Sequence, residues 1–280
     1  MIRTRLTHHA PTEIADACAL LAEHGEDAAV VGGGTMLVPQ MVRGERTVHH
    51  AVDLRRLGLH RIEVRDGEVA VGAMATYSDV AASAELAEHA ALLRIAAAGI
   101  TGGAQIRNQG TIGGSACYAN PASDVPAVLV ALRARMQVHG PDGTREVAAE
   151  AFFVDAFASA LGRGELRAAV VIPAQTGRAG YEKIKLSESS WPIATAAAVV
   201  GDGAEPAVTL GGVARTPLRL DVGALVDGDG TLGDADALEA LVRERLTEPW
   251  EDELAPGSYR RDIAGAVARR SLIKAKEERA

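Results

Sequence analysis

Two glycine-rich segments hold the residues best suited to binding chemistry: Gly32-Gly33-Gly34-Thr35, and Thr111-Ile112-Gly113-Gly114 followed by Ser115. A diphosphate brought against a protein needs hydrogen-bond donors without steric bulk, and glycine turns offer bare backbone N–H groups in a concave arrangement. Thr35 and Thr111 add hydroxyls beside that backbone, and a dinucleotide has two phosphates to hold. Alone, the first segment reads first as a plain structural turn. Leu37 stands where Gly-x-Gly-x-x-Gly would place its third glycine, and no Gly-Lys-Ser/Thr follows. Two such segments in one chain shift the balance toward phosphate.

Other residues carry two readings each. Asp124, after Pro121-Ala122-Ser123, should open a helix, where an acid gains about 0.3–1 kcal/mol from the helix dipole. The same carboxylate could accept from hydroxyls or a ring N–H of a ligand, and the two roles are compatible. Lys183 and Lys185 alternate on a presumed strand after Tyr181, so all three share a face. Such lysines usually snorkel, but one beside a redox ring would stabilise its anionic reduced form. Trp191, next to Pro192, suits ordinary packing better than covering a ligand ring. His8-His9 and His49-His50 are adjacent pairs whose members point to opposite sides of a strand, which argues against a metal site. Gly-x-Ser-x-Gly, His-Glu-x-x-His and Cys-x-x-Cys are absent, so hydrolase and metalloenzyme readings lack a nucleophile or ligand set. Cys18 falls on the inward side of a helix; Cys117 lies near the second glycine segment and is assigned no chemistry.

The elements that must position these residues follow from patterning. Apolar residues at Ile14, Ala17, Cys18, Leu20 and Leu21 predict a helix over 12–24, capped by Thr12 and stopped at Gly25. Ala28 to Val31 reads as a buried strand opening into the first glycine turn, with a second strand near 48–54. Alternation on both sides of Asp66-Gly67 predicts a hairpin over 61–71, and the Ala-rich stretch 78–98, capped by Ser78, one or two helices. Five glycines between 102 and 115 argue against regular helix there. A helix should follow Ser123, then a strand at 136–138 turning at Pro141-Asp142-Gly143, a helix over 151–161 and a strand over 166–172. A boundary is expected between 173 and 180. Beyond it, three strands (181–185, 194–200, 207–210), a loop at 227–230 and helices over 236–246 and 259–275 form a smaller unit.

Composition narrows the partners. At 280 residues the chain should hold two or three compact units, by the prior of about 100–200 residues per domain. No apolar run reaches the roughly 18–20 residues that span a bilayer, and charged residues interrupt the N-terminal stretch where a signal segment would lie; cytoplasmic residence is expected. With 29 Lys and Arg against 37 Asp and Glu, the net charge of −8 opposes nucleic-acid binding. Two cysteines supply neither a disulfide scaffold nor the four thiolates of an iron–sulfur cluster, so any cluster belongs to another chain.

The segments VVGGGTMLVPQM (30–41), QIRNQGTIGGSACYANPASDVPAVLVAL (105–132), FFVDAFASALGRGELRAAVVIP (152–173), YEKIKLSESSWPIATAAAVV (181–200) and TLGGVARTPLRL (209–220) occur in an order that resembles the FAD-binding medium subunits of molybdenum hydroxylases. The resemblance implies an α+β chain: a two-lobed FAD-binding fold over 1–175, with lobes of about 1–55 and 56–175, and a C-terminal α+β domain over 176–280. It implies that Gly32, Gly33, Gly34, Thr35, Met36 and Leu37, with Thr111, Ile112, Gly113, Gly114 and Ser115, wrap the FAD pyrophosphate. Asp124 would reach the ribityl or ring region, Thr101 the adenine or flavin side, and Lys185 the isoalloxazine. Met36, Ser115 and Leu186-Ser187 depart from the residues common in relatives. No catalytic side chain or metal ligand is implied on this chain. The partners implied are a small subunit with 2Fe-2S clusters and a large molybdenum subunit carrying molybdopterin, in a dimer of heterotrimers. Electrons would pass from the clusters through FAD to an external acceptor. A self-sufficient flavin oxidoreductase of the same fold and a non-enzymatic nucleotide-binding module are the competing readings.

Overall fold

The computed structural model describes residue 2 and residues 4–175, 177–201 and 205–277. Strands Thr7–His9, Ala28–Val31 and His50–Asp53 form a parallel sheet with the last in the middle. Parallel strands need crossovers, and helices Ile14–His24 and Leu37–Arg43 supply them. Ala17 and Cys18 of the first helix pack against Val52, Leu54 and Leu166. Glu13, not Thr12, precedes that helix, and Gly25 closes it at φ 52°.

A five-stranded antiparallel sheet follows, ordered Ile62–Arg65, Glu68–Gly72, Leu166–Pro173, Arg135–Gly140, Gly143–Ala148. Asp66 and Gly67 both take positive φ (51° and 78°), the geometry of the predicted two-residue hairpin. Between the second and fourth of these strands the chain runs through six short helices: Tyr77–Ala82, Ala84–His89, Ala91–Ala98, Gly103–Gln109, Ile112–Tyr118 and Asp124–Ala131. Their residues Leu86, Leu92, Leu93, Val128 and Leu129 pack with Val71, Met136, Val170 and Ile172 of the sheet.

Several expectations are corrected. The 78–98 stretch is three helices, begun by Thr76 and Asp79 in a reciprocal cap rather than by Ser78. The 102–115 segment is helical except at its break, because its glycines sit at helix ends, where they cost little. Gly102 and Gly103 open one helix at φ 92° and 76°, Gly110 closes it, and Gly113 and Gly114 fall in the first turn of the next. The 151–161 segment is one helical turn, Ala149–Phe152, then strands Phe153–Asp155 and Ala158–Ser159. Bulky Phe153 and Val154 favour extended backbone, and Phe157 sits at φ 58°, where no helix continues.

The C-terminal sheet has four antiparallel strands, not three: Arg178–Lys185, Pro192–Val200, Ala207–Gly211 and Leu218–Asp221. Helices Ala235–Arg245 and Gly257–Glu277 cover one face, burying Ala194, Ala196, Ala198 and Leu210. Tyr181, Ala197 and Val199 point the other way, into the core shared with the six helices. Every residue of Pro192–Val200 is therefore buried, and its run of alanines lets layers approach from both sides. On the neighbouring strand the last helix comes close at Gly180, where a Cβ would lie 2.0 Å from the carbonyl oxygen of Ser271. No helix among the described residues is long and apolar enough to cross a membrane.

Candidate cofactor cradle

The first glycine segment leaves the carboxyl end of strand Ala28–Val31, the end of a parallel sheet at which open α/β layers bind ligands. It borders a cleft of about 1370 Å³ running between the parallel sheet and the helical layer. That exceeds the roughly 300–1,000 Å³ of ordinary small-molecule sites and suits an extended dinucleotide. Gly32, Gly33, Gly34, Thr35, Met36, Leu37, Thr101, Thr111, Gly113, Gly114, Ser115 and Asp124 all line it. Ile112 lies fully buried beneath the loop, and Lys185 points away, its ammonium donating to the Glu188 carbonyl at 2.8 Å.

The two loops are one construction. A Cβ on Gly33 would lie 1.7 Å from the backbone oxygen of Gln109, and a Cβ on Gly32 3.1 Å from the Thr111 hydroxyl. Glycine is thus required at 33 first by the close approach of the two backbones. Their donors differ. The N–H groups of Gly32 through Leu37 make no hydrogen bond to another group among the described residues. In the second loop Ile112 donates to the Ala75 carbonyl and Gly113 to the Ala73 carbonyl, each at 3.0 Å, while Gly114 and Ser115 donate to the Thr111 hydroxyl and carbonyl, also at 3.0 Å. The first loop therefore keeps open amides, as an anion site needs. The second presents hydroxyls, with Ser115 paired to Ser123 at 2.8 Å.

Asp124 opens helix Asp124–Ala131, as its position predicts, but its buried carboxylate is also engaged from the C-terminal sheet. Oδ1 accepts from the Tyr181 hydroxyl at 2.5 Å and from the Lys183 ammonium at 2.7 Å, and Lys183 donates further to the Gly99 carbonyl at 2.7 Å. Burial, with Asp124 beside it, holds the Tyr181 phenol well above its ordinary pKa. Lys183, rather than Lys185, is the lysine tied to Asp124. Trp191 is 37 % exposed and lines the cleft instead of packing in the core, and half-buried Cys117 lines it as well.

Arg167 was not anticipated from the sequence. It lines the cleft behind Gly113, fully buried, and its only signal was a lone cation in the apolar run Leu166–Pro173. The histidine pairs also meet in an unforeseen way. His9, His24 and His50 come together with ring nitrogens within 4.8 Å, and His9 and His50 share a 3.0 Å hydrogen bond. The three rings stack within 13–29° of parallel.

Strand-end amides, bare backbone and a cleft of dinucleotide size define a carrier of a dinucleotide cofactor. The chain belongs to the family described as the FAD binding domain in molybdopterin dehydrogenase, which it matches over residues 4–175. It is 37% identical to the carbon monoxide dehydrogenase medium chain of Afipia carboxidovorans over 99% of this chain and 98% of that one. The medium chain of Hydrogenophaga pseudoflava carbon monoxide dehydrogenase is 31% identical over 97% of each. Among solved structures, reconstituted CO dehydrogenase from Oligotropha carboxidovorans superposes with a TM-score of 0.90 at 35% identity, covering 100% of both chains. The α+β fold expected from the sequence is that of these relatives.

Proposed function

We propose that the chain is the FAD-carrying electron-transfer subunit of a multisubunit molybdenum hydroxylase. The observation that carries the proposal is the row of open amides from Gly32 to Leu37, backed by the second glycine loop and facing a dinucleotide-sized cleft. In this reading the first loop binds the pyrophosphate, with Thr111, Gly113, Gly114 and Ser115 closing it from the other side. Thr101 and Asp124 face the adenine or flavin portion, Ile112 supports the second loop from beneath, and Tyr181 and Lys183 hold the Asp124 carboxylate in place. Residues 1–175 hold the cofactor between their two lobes, and residues 176–280 pack against them.

Bound FAD supplies a centre that accepts electrons singly and delivers them in pairs. The chain itself contributes binding and orientation. With Cys18 and Cys117 as its two free thiols, it has no ligand set for a cluster, so a small 2Fe-2S subunit must feed it and a large molybdenum subunit must oxidise the substrate. We assign the complex to the cytoplasm as a dimer of heterotrimers, with an external acceptor taking the electrons.

The test is the visible spectrum of the purified chain, with the released cofactor identified by mass. Flavin that is bleached by candidate substrates only after the two partner subunits are added supports the proposal. Bleaching by the isolated chain would make it a self-sufficient oxidoreductase, and failure to take up FAD on reconstitution would refute both.

A further inference from the structure

Among the described residues two arginines are fully buried, and they are treated oppositely. Arg260 donates to the carbonyls of Gly212 (2.6 Å) and Ile193 and to the carboxylate of Asp252. Arg167 is 1% exposed, yet none of its three guanidinium nitrogens has a partner among the described residues. A guanidinium remains charged at any ordinary pH, and an uncompensated charge out of water is strongly unfavourable. The nearest acid in sequence, Glu165, is occupied by Arg145 at 2.7 Å and by the Gly162 N–H at 2.6 Å.

What Arg167 does adjoin is the cleft. A Cβ on Gly113 would lie 2.5 Å from its Nη2 and 2.3 Å from the Ala73 carbonyl oxygen, so the guanidinium sits directly behind the bare backbone of the second loop. That loop has already committed its amides from Ile112 to Ser115 within the protein.

We propose that Arg167 is the counter-charge of the ligand diphosphate, neutralising from behind Gly113 the negative charge that the open amides of the first loop grip from the front. The inference rests on the reading of the chain as an FAD carrier. It implies that the cofactor-free protein stores an unpaired cation and that diphosphate binding relieves it.

The experiment uses the full chain, with FAD removed where stated, as wild type and as Arg167→Met, which keeps length and removes charge. FAD affinity, read by flavin fluorescence, should fall on the order of 10- to 100-fold, the range for one charged donor. ADP binding should weaken in step, while adenosine, which lacks the diphosphate, binds equally to both. Cofactor-free R167M should melt above cofactor-free wild type, and inorganic pyrophosphate should raise the melting temperature of wild type alone. R167M with wild-type FAD affinity, or an unchanged preference for ADP over adenosine, would overturn the proposal. If R167M does not fold, Arg167→Lys decides: retained preference for ADP supports the counter-charge, and its loss in a folded protein refutes it. Failure of wild type to bind FAD would instead refute the carrier reading itself.

Discussion

Replacing Gly33 with alanine tests the central geometric claim, that the two glycine loops form one cradle. The added Cβ would sit 1.7 Å from the Gln109 carbonyl oxygen and 3.1 Å from the Gly110 α-carbon, both backbone atoms that no rotamer change can move. Ordinary contact needs more than 3 Å, so the loops must part by over 1 Å. Overpacking of this kind destabilises by about 1–3 kcal/mol. At about 2–4 °C per kcal/mol for a chain of this size, the melting temperature should fall by roughly 2–12 °C. The effect on binding should be larger in proportion, because the open amides move with the loop and a displacement of about 1 Å can cost on the order of 100-fold where geometry matters. Gly67→Ala is the control. It also adds a Cβ, at φ 78° in a hairpin turn with nothing within 4 Å, so it should cost about 1–2 kcal/mol of stability and leave FAD affinity unchanged. Thermal melts and fluorescence titration of both variants give the comparison. Wild-type FAD affinity in a stably folded G33A protein would show that the loops do not depend on each other.

The buried cluster at Asp124 should behave as a coupled unit. Asp124→Asn leaves the Lys183 ammonium without its counter-ion and should destabilise by about 3 kcal/mol, the lower end for breaking a buried pair, since Lys183 keeps the Gly99 carbonyl. Adding Lys183→Met should recover part of that loss in a double-mutant cycle, whereas simple additivity would mean the pair is not coupled. Asp53, buried and held by Arg55 and His8, has its pKa lowered from 3.8 to about 2. Because the folded value lies below the unfolded one, this stabilisation is full above pH 3.8 and is lost as pH falls toward 2. Solvent-exposed Arg55 reduces it to about 1–2 kcal/mol, and Asp53→Asn should flatten that limb of a urea stability profile. His50 is pushed below 6.5 by desolvation and then by the neighbouring His24 and His9, so its contribution is present above that pH and lost below it. His50→Gln should remove this part of the profile, and an unchanged slope between pH 5 and 7 would count against the stack.

The local elements were legible wherever one pattern decided them. The Asp66-Gly67 hairpin, the strand before Gly32 and the helix after Ser123 depend on turn chemistry or periodicity carried by consecutive residues. Both glycine loops could be read as phosphate-binding for the same reason, since a lack of side chains is visible in any sequence. The helices on either side of Gly110 were not legible, because the penalty for glycine depends on whether it stands inside a helix or at its end. Nor could composition show which loop keeps its amides. Ala73 and Ala75, far from Ile112 and Gly113 in the chain, take up those donors only when the hairpin sheet lies beside the helices. Lys183, not Lys185, reaches Asp124 because strand Arg178–Lys185 is set against the helical layer on the face that Tyr181 and Lys183 share. The sequence by itself determined what each segment could bind, since that depends on residue type. Tertiary structure alone decided which groups were left unsatisfied, since a buried donor or charge is defined by what surrounds it.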